Sequence, residues 1–331
     1  ADPAGLPTVG NQTTLFDGRP LRRVEVDILA DDHGTVWNLG GRDVSVRRRH
    51  HSLVAEAPCA GASEELTTAI CKAASDLALE VGYRGAAMIT FVHDHTDFAL
   101  TAVDCVAPPD HATSEERSGA SFIGWRLRVH RGEALPEHEP TADGVAMEVR
   151  LLAEDPDDGF TTTPGRVTLL SFPVGTGVRV DANRRVGDRI EQTDSLLAII
   201  TAWGPDRAVA VTRIRRALER TAVVIENGTT NLSFLLALLD DEQFQRDEVD
   251  HRWLDRMIAD RPPPEPDPLV LLAGAVEAYE ADRRRAQEAF YASAERGRPQ
   301  QPDEVGSGIE LGYLGESYRL DVECIAARTY S

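Results

Sequence analysis

Arg150 is the first residue of this sequence that could do chemistry. It closes the run VAMEVR, in which Val145, Met147 and Val149 alternate with Ala146, Glu148 and Arg150, the pattern of a half-buried strand. A guanidinium in mid-strand must be ion-paired or face a wet cleft, where it can grip an oxyanion. Glu148 and Asp155 are the nearby carboxylates that could neutralise it. His50, with His51 and Arg47-Arg48-Arg49, ends another strand; this basic end could receive a nucleotide or anion, or be a solvated strand edge. His93-Asp94-His95 with Asp97 has metal-ligand chemistry, but it falls where a hairpin turn is needed, and a turn explains it as well. Asp104, Asp110 and His111 could support acid–base work, though no nucleophile or orienting partner stands beside them. Gly175-Thr176-Gly177 reads as a turn, and no GxxxxGK[ST] phosphate loop occurs.

The elements that must position these residues follow from period and punctuation. Leu21–Ala30 alternates as a strand, Asp31-Asp32-His33-Gly34 turns the chain, and Thr35–Leu39 returns. Asp43–His51 reads as a further strand and the stretch through Pro58 and Gly61 as a loop. Ser63 caps a helix with Leu66, Ile70, Ala74 and Leu77 inward, stopped at Gly82. Gly85–Val92 and Phe98–Val103 form a strand pair, 104–119 a proline-bearing loop, and Ser121–His130 a short helix. Beyond the acidic turn at 154–159 come strands at 166–172, 177–180 and 189–190, and the apolar run Ser195–Trp203. Asp206 caps an amphipathic helix, Val223–Ile225 is a strand, and helices at 232–239 and 251–258 complete the unit. RPPPEPDP (261–268) cannot lie inside a packed element and marks a boundary. Past it lie a helix over 269–296 and a hairpin turned at Leu314-Gly315-Glu316.

Composition narrows the function. The chain has 331 residues, is 42% hydrophobic and carries a net charge of −20, which argues against a nucleic-acid surface. Lys72 is the sole lysine, so mechanisms needing several lysines are excluded, and so is a Met-Lys biotin acceptor. Cys59, Cys71, Cys105 and Cys324 show no CxxC spacing, so neither a zinc site nor a disulfide framework is indicated. No apolar run reaches transmembrane length and no secretory leader opens the sequence; a cytoplasmic location is expected, with no membrane or nucleic-acid partner.

The order of motifs resembles a known family. Arg150 with AEDPDDGF, then TPGRVTLL, TGVRVD, DSLLAIITAWGPDRAVAVTRIRRAL, TNLSFLLALL and FxxxxVDHRWLDRM, looks like the C-terminal subdomain of biotin carboxylase. The upstream block from RRVEVDILADD to EVGYRGAAMITF looks like the second half of that family's ATP-grasp domain. FYASAERGRP and the last hairpin are similar to the region that follows in acyl-CoA carboxylases, notably large single-chain ones. The resemblance implies ATP-dependent carboxylation of biotin with bicarbonate, using ATP, magnesium and biotin. It places the bicarbonate- and biotin-steadying arginine at Arg150 and a nucleotide-side histidine at His50, while the family's glutamine falls at Arg47, its lysine at Ser52 and its first-strand histidine at Arg23. The two acidic magnesium ligands fall at Thr90 and Ala102, neither of which can replace a carboxylate. The accompanying asparagine is Asp104, and the Arg-, Gln- and Glu-rich bicarbonate segment is replaced by VAPPDHATSE.

An α+β fold is therefore expected. Its parts are a tail (1–20), the C-terminal half of an ATP-grasp domain (21–143), a biotin carboxylase C-terminal subdomain (144–258), a Pro-rich linker (259–268), and a helix with the start of a β-hairpin or barrel (269–331). With the metal carboxylates gone, the expected role is a non-catalytic, domain-docking component of an acyl-CoA carboxylase. It would bind no cofactor by itself and would assemble, as a homo- or hetero-oligomer, with carboxyltransferase and biotin carrier parts. The alternatives are a fragment of an active ligase lacking its N-terminal half, and a small-anion or nucleotide-binding regulator using Arg150 and His50.

Overall fold

The computed structural model describes residues 19–48, 51–105, 111–261, 265–294, 308–313 and 316–331; His50 and Asp110 lie outside them. The chain divides into a unit Ala1–Asp260 and a second unit Arg261–Ser331.

β1 (Arg22–Ala30) and β2 (Val36–Asp43) are joined by a turn built on Asp31, whose carboxylate accepts the amides of His33, Thr35 and Leu135. DVSVRRRHH does not continue as the expected strand. The Asp43 carboxylate accepts the Ser45 amide and turns the backbone, leaving only the short pair β3 (Arg47–Arg48) and β4 (His51–Ser52). β5 (Val54–Ala57) then forms where a loop was expected, being too short to show a period. α1 (Glu64–Glu80) starts on Ser63, whose hydroxyl accepts the Leu66 amide. β6 (Gly85–His93) and β7 (Phe98–Asp104) pair as anticipated. α2 (Ala112–Ser118) corrects the loop expected over 104–119. Its buried residues are the small Ala112, Thr113 and Ser114, so no apolar stripe announces it. α3 (Phe122–His130) is capped by Ser121.

The next strands are β8 (Val145–Leu152), β9 (Glu154–Asp155), β10 (Thr161–Thr162), β11 (Gly165–Ser171), β12 (Val178–Ala182), β13 (Arg189–Ile190) and β14 (Leu196–Gly204). α4 (Arg207–Glu219), capped by Asp206, leads to β15 (Ala222–Ile225), α5 (Leu232–Asp240), a short α6 (Glu242–Gln245) and α7 (Trp253–Asp260).

Eight strands make one open antiparallel sheet, in the order β12-β14-β8-β5-β2-β1-β6-β7, and it runs through both the ATP-grasp and the C-terminal stretches. β8 is central, so the half-buried strand expected at 145–150 is covered on both faces, and even Glu148 is buried. On one face α4 and α5 pack Ile214, Leu218, Leu235 and Leu238 on Met147 and Val149, while α1 packs on Val24, Val26 and Ile28. On the other, α3 sets Phe122 and Val129 against Leu29 and Trp37. α2 lies across β5, β8 and β14 on that second face, tied down by Arg179, which bonds Glu115 at 2.7 Å. No helix among the described residues is long and apolar enough to cross a membrane.

In the second unit α8 (Pro268–Ala294) packs Ala275 against Ile309 and Val322. β16 (Gly308–Tyr313) and β17 (Glu316–Asp321) form the hairpin read from the sequence. A further pair, β18 (Cys324–Ala326) and β19 (Thr329–Tyr330), follows it.

Candidate functional site

Register decides what shares the α2/α3 face. Arg42 on β2 pairs with Glu25 on β1, Glu25 with Thr90 on β6, and Thr90 with Ala102 on β7, forming one row across four strands. Paired residues point the same way in an antiparallel sheet. The two positions that the resemblance assigns to magnesium are thus neighbours, with Glu25 in the same row. Glu25 is committed elsewhere: its carboxylate accepts Arg42 Nη2 at 3.0 Å and Arg47 Nη1 at 3.3 Å. Asp27, on the same face of β1, lies 3.7 Å from Arg42 Nη1 and 3.2 Å from His111 Nδ1. Burial pushes the Asp27 carboxyl up, but Arg42 and His111 outweigh it and hold the group below its ordinary range. Magnesium does not fit this row. Thr90 and Ala102 offer a hydroxyl and a methyl, the nearby carboxylates face cations, and no metal-capable cluster of His, Cys, Asp and Glu forms among the described residues.

Arg150 sits on β8 on this same face, half-buried. Of its two anticipated partners the structure places Glu148 beside it, at 3.9 Å from Nε. The strand is fixed from behind by Asn231, which is fully buried: Nδ2 donates to the Arg150 carbonyl at 3.0 Å and Oδ1 accepts the Leu152 amide at 2.9 Å. Sequence reasoning missed Asn231 as a positioning residue, because its partners lie 81 and 79 residues away along the chain. Asn231→Ala is expected to lower stability by about 2 kcal/mol, since both strand groups lose a buried partner. Chemical denaturation of the two proteins measures it, and an unchanged midpoint would show that water replaces the amide.

The remaining candidates scatter. Arg47 is taken up by Glu25, and Asp104 ends β7 exposed. His111 is buried at the start of α2, its ring 4.0 Å from Phe122, where it steadies Asp27 and has no open cleft in front of it. His93 is fully buried and its pKa falls to about 4, chiefly through burial, then through His95 and Arg22. It is therefore neutral at physiological pH. Asp94 accepts Arg19, Thr96 and the Asp97 amide, so the His-Asp-His run builds the turn.

The opposite face holds a second charged cluster, which sequence reasoning missed. Arg22 Nη1 contacts Asp43 at 3.1 Å and Asp247 at 2.8 Å, and Nη2 donates to the Asp247 carbonyl. Beside them Arg207 Nε holds Glu56 at 2.9 Å and Nη2 donates to the Phe244 carbonyl. These charges lie on the apolar side of the alternation, the side of Val24 and Met147, under α1 and α4, so they pair internally.

Comparisons with known proteins place this sheet in a family. Residues 148–256 match the biotin carboxylase C-terminal domain, and residues 16–138 match the ATP binding domain of the carbamoyl-phosphate synthase L chain. This defines the class, an ATP-binding-type sheet continuous with a carboxylase C-terminal domain. The chain belongs, through residues 16–256, to the biotin carboxylase family.

Biotin carboxylase of Haemophilus influenzae is 32% identical over 240 residues, covering 72% of this chain and 53% of that protein. The mitochondrial methylcrotonoyl-CoA carboxylase subunit alpha of Rattus norvegicus is 32% identical over 69% of this chain and 32% of its own length. Among solved structures, the bicarbonate-bound biotin carboxylase domain of a thermophilic 2-oxoglutarate carboxylase superposes with a TM-score of 0.69 at 28% identity, covering 73% of this chain and 56% of that one. Rhizobium etli pyruvate carboxylase does so with a TM-score of 0.73 at 27% identity, covering 82% of this chain and 28% of that one. The chain spans about half the length of the biotin carboxylases it matches.

Proposed function

We propose that this chain is a biotin-carboxylase-like component of a biotin-dependent carboxylase that does not carry out ATP-dependent carboxylation itself and acts by holding other carboxylase parts. The observation that carries this reading is the row Arg42–Glu25–Thr90–Ala102. Without carboxylates at Thr90 and Ala102 there is no hard, charged cradle for magnesium against a triphosphate. Glu25 cannot substitute while it neutralises Arg42 and Arg47. The partners proposed are a carboxyltransferase and a biotin carrier.

A second reading, a fragment of an active ligase whose other half supplies nucleotide contacts, draws on Arg150. Its side chain is half-buried beside Glu148, and Asn231 braces its backbone carbonyl. Calorimetric titration with Mg-ATP and with bicarbonate, on the full chain and on Arg150→Ala, separates the two. The scaffold reading expects no magnesium-dependent ATP binding, and comigration with carboxyltransferase or biotin carrier protein. Tight magnesium-dependent binding would overturn it, and bicarbonate binding lost in Arg150→Ala would favour the fragment.

A further inference from the structure

At the end of the sheet where β1 finishes and β6 begins, α3 stands away from the strands and leaves a cleft of about 520 Å³. Its floor is Ala86, beside its fully buried cross-strand partner Leu29, and its wall carries Ile123 and Leu127, one turn apart on α3. Those two side chains are 52% and 55% exposed, although Phe122 and Val129 of the same helix are buried. Two large aliphatics shown to water at the mouth of a cleft call for an apolar ligand surface. Gly85 adds room, since a Cβ built there meets nothing within 4 Å.

The rim of this cleft is cationic in a protein whose net charge is −20. Arg126 on α3 and Arg84 line it together with Asp32. Arg84 is already held by Asp32 at 2.6 Å, whereas no carboxylate among the described residues lies within ion-pair distance of Arg126. His130, one turn beyond Arg126, also lines the cleft. The cleft volume lies within the range of small-molecule sites.

We propose that this cleft binds an amphipathic carboxylate, with the tail on Ala86, Ile123 and Leu127 and the head group on Arg126. Guanidinium and carboxylate meet in a bidentate pair, which favours an organic acid over a neutral ligand of the same shape. The site shares its sheet face with Glu25, from which Leu29 lies four residues along β1, roughly 13 Å away, while Arg150 stands three strands over on β8.

Calorimetry on the full chain tests it with three probes: decanoate, decanol (the tail without the charge) and acetate (the charge without the tail). Decanoate is expected to bind saturably at one site, with decanol and acetate each weaker by about tenfold or more. Arg126→Glu and Leu127→Asp, both at solvent-accessible positions, should each weaken decanoate by a similar factor while melting like the parent. Ile123→Asp checks the tail contact independently should either variant melt early. Decanoate that fails to saturate, or that binds these variants as well as the parent, overturns the proposal. Acetate binding as tightly as decanoate would reduce the cleft to a simple anion site and overturn the amphipathic assignment.

Discussion

Replacing Arg22 with alanine is expected to lower the folding free energy by about 3–5 kcal/mol, the cost of removing one partner from a buried charge cluster. Arg22 is 2% exposed and holds Asp43 and Asp247 together, while Glu56 adds a third carboxylate close by. Without the guanidinium these acids would face one another in a dry site with only Arg207 left to offset them. The packing is also tight: a Cβ on Gly61 would lie 2.4 Å from the Arg22 Cζ, so the chain folds closely over this side chain. Urea unfolding of Arg22→Ala gives the number, and a loss below about 1 kcal/mol would mean that the cluster hydrates freely. Combining Arg22→Met with Asp43→Leu should recover part of the loss, because an apolar pair avoids the desolvation penalty.

The second large effect is a pH dependence centred on Glu56. Burial raises its pKa from 4.5 to about 7; Arg207 opposes the rise, and Asp247 and Asp43 add to it. A raised carboxyl pKa means that the folded state holds the proton more tightly than the unfolded chain does. This contribution to stability is therefore fully present below pH 4.5 and is lost as the pH climbs to about 7. At 1.36 kcal/mol per unit, the change is roughly 3 kcal/mol. Glu56→Gln cannot titrate, so the parent should lose about this much relative to the variant between pH 5 and pH 8. Denaturation midpoints at the two pH values decide it, and a constant difference between the proteins would rule out the titration.

The elements most legible in the sequence were those with a full period and a cap. β1 alternates over nine residues, α1 begins on Ser63 and α4 on Asp206, and all three lie where expected. β5 and α2 were illegible for a physical reason. β5 has four residues, and α2 buries small polar side chains, so neither imprints a hydrophobic repeat. The site divides in the same way. Arg150 stood out as a charge within an apolar run, whereas the Thr90–Ala102 pairing was not traceable from the turn, because a bulge between Thr90 and Phe91 shifts the hairpin register by one residue. Partnerships across long sequence separations leave no local mark. Arg22 with Asp247, Arg207 with Glu56 and Asn231 with Arg150 are products of the fold.

The ladder between β2 and β5 is a single rung, Asp43 with Glu56, whereas β5 meets β8 at four. The broad sheet is thus two panels with a narrow join, each panel backed by its own apolar cluster, one under α1 and the other under α4 and α5. Sliding at that join would leave both clusters and nearly every main-chain ladder intact. It would still alter the spacing between the Thr90 row and Arg150, which stand on different panels. The charged residues gathered at the join, Asp43, Glu56, Arg22 and Arg207, therefore add side-chain pairing where the main-chain ladder is thinnest, with α2 bridging the same strands on the far face.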